Sequence, residues 1–371
     1  MSDKIRDNFN NLKDVTSKKF NQFIGSENNV VLISFVIIFF MLFALLSWIY
    51  GTLSNKSKSC NRINEVYKEG NILRSVAKAD FTKNPTSISG EPKDIVTLRN
   101  HYIKTAYNCC CVDGYKNNWV DLCALRKCIF QGARCLDFEI YSYNNEPIIA
   151  ASTANNNSIK ETYNYINLVE VFNVIISEND SYKIDNVNDP LFLHFRIMSD
   201  NIDIYDKIGD YIKNILFKNN DNNTNICLEK DNKLVMSGMK KLEGKYIIMV
   251  NAKNYKNVQQ SRLNNYVNLQ SGGPHLGLLR YQTLLAAGEN NSLLKAQTRK
   301  NLYIVLPDLN NKIENYDWLK AYNNGCQFIA MKFQNVDQEL ISYNKFLFKD
   351  RGKGSAFVIK DNDLIEKNQI E

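Results

Sequence analysis

The chain has 371 residues, with 46 Lys and Arg against 39 Asp and Glu, a formal net charge of +7. Hydrophobic residues at 44% exclude wholesale disorder, and the length suffices for one large domain or two small ones beyond any tail. The charge excess suits an anionic membrane surface, but no Lys/Arg block is dense enough for nucleic acid, so no nucleic-acid partner is expected.

Asn occurs 52 times, scattered through every segment, as an AT-rich coding genome would produce. Residues 1–29 form a polar tail in which LKDVTSKKFNQFI has weak amphipathic helical character. Val30 to Tyr50 is a run of 21 residues without a charge. At 1.5 Å per residue a helix of this length spans roughly 30 Å, a bilayer core. Trp48 and Tyr50 at one end suit an interface, and the run is too long for a signal-peptide core. A single transmembrane helix is therefore expected, with the lipid bilayer as its partner. Lys18 and Lys19 before it nearly balance Lys56, Lys58 and Arg62 after it, and the slight excess favours a cytoplasmic C-terminal part.

Residues 51–94 read as a polar juxtamembrane linker. From about 95 onward, strand-like runs (HYIKTAYN, RCLDFEIYSY, EPIIAAST, PLFLHFRIMS, GKYIIMVN, NLYIVLPDL, CQFIAMKFQ) alternate with helix-like ones. The helix-like stretches are WVDLCALRKCIFQG, SIKETYNYINLVEVFNVIISEN and NIDIYDKIGDYIKNILFKN, the last with Ile204, Ile208, Ile212 and Leu216 on one face. This alternation predicts an α/β fold, a parallel (β/α)8 barrel over 95–371 preceded by the membrane helix.

None of the nine cysteines has the CxxC spacing of a zinc site, so no metal is expected on them. Cys109, Cys110 and Cys111 are consecutive; one of them could reach Cys123 or Cys128, although scattered buried thiols are the default. Sequons stand at Asn55, Asn156, Asn179, Asn222 and Asn290, several of which chance supplies in so Asn-rich a chain.

Residues 124–153, ALRKCIFQGARCLDFEIYSYNNEPIIAAST, resemble the X-box of phosphoinositide-specific phospholipase C: a helix ending in Gly132, then Arg134-Cys135-Leu136, then Pro147-Ile148-Ile149. EGKYIIMVNAKN resembles a later strand of that family, YDWLKAYNNGCQFIAMKFQ its Y-box phrase, and GSAFVIK its closing strand. The X-like half then covers about 95–220 and the Y-like half about 230–360. The resemblance implies a phospholipase C-like TIM barrel, a phosphoric diester hydrolase chemistry using two histidines, and a calcium ion held by hard oxygen ligands.

Each implied site position can be found in this chain. Tyr107 stands where the first histidine should be, beside a retained Asn108. Thr153 stands near the second. Asp137 and Glu139 keep two carboxylates, two residues apart on one strand face. Arg196 replaces the last acidic ligand, and Met249 and Asn251 stand where phosphate-binding lysines would be. No Arg occurs between Arg299 and Arg351, where the family has a substrate-contacting one. Tyrosine and threonine do not replace imidazole near neutral pH. Arg196 is a permanent cation and donor, so it is expected between Asp137 and Glu139 in place of the metal. No cofactor or metal is therefore expected, although the family implies calcium. His194 and Arg196 share a strand face and are candidates to hold an anion; the simpler reading is a buried His satisfied by a carboxylate.

The expected function is a membrane-anchored, catalytically degenerate barrel acting as a binding or structural module for a protein partner or a phosphoinositide headgroup. The alternative is an active phosphoric diester hydrolase with a metal-independent site. The Asn-rich composition, the anchor and the degenerate site together are similar to proteins of large DNA viruses, which makes a virion or host internal membrane the expected location.

Overall fold

The computed structural model describes residues 14–15, 17–19, 27–67, 74–81, 97–154, 159–180, 185–217, 225–288 and 291–366. Most of the polar tail, and the sequons at Asn156, Asn222 and Asn290, lie outside these residues. The chain divides into two compact units, Met1–Lys58 and Ser59–Glu371.

In the first unit, the uncharged run lies within helix α1 (Glu27–Val66), a 40-residue element. It is long and apolar enough to cross a membrane. Phe35, Phe39, Phe43 and Leu46 are each more than 60% exposed, so this surface has no protein core to cover it. The helix does not stop at Tyr50 as the apolar run suggests.

The second unit begins within α1, and described residues of the expected 51–94 linker pack into it. Ile63 and Tyr67 are buried in the second unit, and Ala77 bridges Ser355. Gly132, at φ +87°, makes room for this segment: a Cβ there would lie 2.0 Å from the Ser75 carbonyl oxygen.

Strands follow as β1 (His101–Ala106), β2 (Cys135–Tyr143), β3 (Glu146–Ile149), β4 (Ile166–Asn167), β5 (Leu191–Ile197) and β6 (Tyr246–Ala252). Then come β7 (Val267–Gln270), β8 (Leu276–Arg280), β9 (Leu302–Leu306), β10 (Phe328–Met331) and β11 (Phe357–Ile359). The parallel path runs β7-β6-β5-β2-β1-β10-β9-β8, an eight-stranded barrel closed only by a Ser271–Leu276 bridge between its two ends. Helices α2 (Leu122–Phe130), α3 (Leu168–Asp180) and α4 (Ile202–Tyr211) cover its first half. Asp121 and Asn201 cap α2 and α4, their side chains accepting from Cys123 N and Asp203 N.

Two expectations are corrected. The EPIIAAST run is not a barrel strand: β3 pairs antiparallel with the β2 extension, and β4 pairs with β3, forming a hairpin at the barrel's edge. The helix expected from Ser158 begins only at Leu168. The closing sequence GSAFVIK is a strand, as the resemblance implies, giving β11, antiparallel to β1. Gln327 of the Y-like phrase works at the strands' starting end: its Nε2 donates to Arg99 O, Thr298 O and Asn301 O, and its Oε1 accepts from Tyr303 N.

Candidate functional site

Register builds the site. Asp137 of β2 stands opposite His194 of β5, which stands opposite Met249 of β6. Two residues on, Glu139, Arg196 and Asn251 form the next layer. Alternation turns the residues of each layer to one side of the sheet, here the barrel interior.

Arg196 lies between the oxygens of three side chains. Its Nε donates to Asp137 Oδ1 at 3.0 Å and its Nη1 to Glu139 Oε2 at 3.0 Å. Its Nη2 donates to Asn108 Oδ1 at 2.7 Å and to Asp137 Oδ2 at 3.1 Å. The guanidinium lies over the Tyr107 ring, 4.9 Å from its centroid. Asn108, at φ +43° just beyond β1, donates through its backbone N–H to Asp137 Oδ2 and through its side-chain amide to Glu139. His194 Nδ1 donates to Asp137 Oδ1 at 2.7 Å, while its Nε2 has no partner among the described residues.

Asp137, Glu139, His194 and Arg196 are each 2% exposed or less, so no solute reaches them without the loops moving. Burial alone would push the Asp137 carboxyl upward, but Arg196 and His194 outweigh it and hold the group well below the usual carboxylate range. Arg196 is driven the other way: burial disfavours its charge, yet Asp137, Tyr107 and Glu139 raise its pKa further. Burial likewise pushes the Tyr107 hydroxyl above the ordinary tyrosine range, so it keeps its proton near neutral pH and does not act as a base there.

Calcium takes six to eight oxygens at about 2.3–2.6 Å. Asn108, Asp137 and Glu139 supply oxygens, but guanidinium nitrogens lie within 3.1 Å of all three side chains. In this arrangement the donor set does not fit the ion. As candidate anion ligands, His194 turns Nδ1 to Asp137, and Arg196 turns its donors to Asp137, Glu139 and Asn108.

Thr153 is not brought to Arg196's group. Its hydroxyl and backbone N–H both donate to Glu161, which also accepts from Ser152 and pairs with Lys116 at 3.0 Å. The Thr153 hydrogen bonds hold Glu161 down to about 2. Asn117 N donates to Glu161 O and Tyr163 N to Asn118 O, so the loops after β1 and β3 are fastened across one end of the barrel. Of the positions expected for lysines, Met249 is fully buried and Asn251 donates to Ser271 O.

Two participants lie outside the sequence expectations. Tyr141, two residues beyond Glu139, donates its hydroxyl to that carboxylate; the 137, 139, 141 spacing carried the signal. Arg280, at the end of β8, donates to the Tyr107 hydroxyl at 3.4 Å and to Pro307 O at 2.7 Å. No strand is predicted there, so no sequence signal placed it. Cys60 pairs with Cys123, whereas Cys109, Cys110 and Cys111 are buried free thiols.

No family model and no curated protein matches the chain. Among solved structures, the chain is similar to PLC21 of L. pealei and of S. officinalis, each with a TM-score of 0.57 at 15% identity. These matches cover 78% of this chain and 39% of each of those, so the chain spans well under half of their length. A calcium-dependent phosphoinositol-specific phospholipase C from Pseudomonas sp. also matches, with a TM-score of 0.42 and 8% identity over 66% of this chain and 93% of that one. The second unit therefore has the phospholipase C-like TIM-barrel fold.

Proposed function

We propose that this protein is a single-pass membrane protein whose phospholipase C-like barrel has lost phosphodiester cleavage and serves as a binding or structural module. The fold carries a phosphodiesterase chemistry in similar proteins; fold alone does not hand that chemistry to this chain. The observation that carries the reading is Arg196, whose guanidinium takes oxygens from Asn108, Asp137 and Glu139 at 2.7–3.1 Å. An internal cation bound there by charge-assisted hydrogen bonds does the charge balancing of a metal without its Lewis acidity. Tyr107 and Thr153 offer no imidazole, and the only histidine in the group, His194, is fully buried beneath Arg196's partner Asp137. The exposed apolar surface of α1 is the support for the anchor, and a viral or host internal membrane is the location this reading gives it.

The test is calorimetric titration of the full chain, in nonionic detergent, with calcium and separately with inositol phosphate. Neither heat nor a shift in thermal stability is expected for calcium. Saturable calcium binding would overturn the reading and restore the enzymatic alternative. Inositol phosphate binding without calcium would keep the module reading and name its ligand.

A further inference from the structure

We propose that the barrel matures on the oxidising side of its membrane, exoplasmic or lumenal, held by a Cys60–Cys123 disulfide. The inference rests on the membrane-anchor reading of α1 and goes beyond it. The Lys and Arg about the apolar run are too nearly balanced to fix orientation, and their slight excess toward a cytoplasmic C-terminal part is set against the disulfide.

The cysteines of the second unit fall into two classes. Cys60 and Cys123, both partly exposed, are joined across 63 residues with their Cα atoms 6.1 Å apart. The other seven are free, and none is more than 6% exposed. Burial pushes the thiols of Cys109, Cys110, Cys111, Cys135, Cys227 and Cys326 upward, so they hold little of the thiolate that exchanges or oxidises. The accessible pair is bonded and the inaccessible thiols are not. That is the distribution of a chain that matures where thiols oxidise. In a glutathione-reduced compartment all nine cysteines would be thiols, and an accessible bond is the first to be lost.

The bond also has a place in the fold. It ties the last turns of α1 to the first turn of α2, where Asp121 caps Cys123 N. Within three residues of Cys60, Arg62 pairs with Asp113 at 3.3 Å and Ile63 is 3% exposed. Tyr67 then donates its hydroxyl to Phe333 O at 2.7 Å. The bond therefore holds 59–67 against α2, and the Arg62–Asp113 pair joins the same segment to the loop that carries Asn108. Its formation converts two thiols to one disulfide, passing two electrons and two protons to a disulfide oxidant of that compartment, which leaves as a dithiol. On that side the barrel does not meet the phosphoinositides of the cytosolic leaflet, which narrows the module's partners to proteins or exoplasmic ligands.

The experiment uses the full chain expressed in eukaryotic cells, with a glycosylation-acceptor tag at the C-terminus. Membranes are extracted with alkaline carbonate, free thiols are blocked at lysis in denaturant so that the buried ones react too, and disulfides are then reduced and labelled with a maleimide polymer. The expected result is a carbonate-resistant chain with a glycosylated tag and two labelled cysteines, both lost in Cys60→Ser. A carbonate-resistant chain whose tag stays unglycosylated, or whose Cys60 and Cys123 are blocked at lysis, would overturn the orientation while leaving the anchor standing. A chain released by carbonate would overturn the anchor reading, and this inference with it.

Discussion

Arg196→Met tests the central ion group most severely. The substitution keeps much of the side-chain volume and removes every donor, leaving Asp137 and Glu139 at 0% and 1% exposure with no cation between them. Removing one member of a buried ion group costs about 3–5 kcal/mol, because the remaining charges stay desolvated. Four contacts moderate the loss. His194 and the Asn108 N–H still donate to Asp137, and Tyr141 and the Asn108 side-chain amide still donate to Glu139. We therefore expect the lower end, about 3 kcal/mol at neutral pH.

The pH dependence has a definite sign. The native Asp137 carboxyl lies below its unfolded value, so its contribution is complete above about pH 4 and fades as pH falls further through the native value. Without Arg196 that depression is lost, and ionising the carboxylates then opposes folding. The gap between wild type and variant should be widest near pH 7 and should shrink toward pH 4. Asp137→Asn and Glu139→Gln added to Arg196→Met should recover part of the loss, since no buried charge remains. Denaturant unfolding of the full chain in micelles, followed by Trp119 and Trp318 fluorescence, measures all of this. A variant as stable as wild type, or a gap independent of pH, would refute the reasoning.

Other expectations follow from the same geometry. Cys60→Ser opens a cross-link spanning 63 residues, and the chain-entropy account assigns about 4 kcal/mol to a loop of that size; a loss under 1 kcal/mol in denaturant unfolding would speak against a folding role. Gly132→Ala places a Cβ 2.0 Å from Ser75 O at φ +87°, so a loss of at least about 2 kcal/mol is expected, read as a fall in melting temperature. Gln327→Leu takes the partner from Arg99 O, Asn301 O and the Tyr303 N–H, while Thr298 O keeps Lys360 Nζ; about 2 kcal/mol should be lost, with hydrogen exchange rising at the start of β1 and β9.

Much of the barrel was legible because six of its strands are long apolar runs that burial on both faces demands. Strands β7 and β8 were not. Val267–Gln270 offers only two apolar side chains, and β8 carries Gly277, where a Cβ would lie 2.3 Å from the Tyr303 ring. That glycine records a packing constraint and carries no local strand signal. The site divides the same way. Asp137, Glu139, His194 and Arg196 could be grouped because alternate residues of one strand share a face. The detailed hydrogen bonds required the β2–β5 register. Arg280 reaches Tyr107 from 173 residues away, and Cys60 finds Cys123 across 63; neither separation has any pattern in the chain. Within the juxtamembrane linker expected over 51–94, polar composition does not reveal the packing of the described residues, whose buried anchors, Ile63, Tyr67, Ala79 and Phe81, are few and widely spaced.

The most direct measurement is cleavage of phosphatidylinositol by the full chain reconstituted in phosphatidylcholine–phosphatidylinositol vesicles, with calcium and with chelator, scored as released inositol phosphate. The account predicts release no greater than from vesicles without protein under both conditions. Release that requires calcium, or calcium-independent release abolished by His194→Ala, would contradict it.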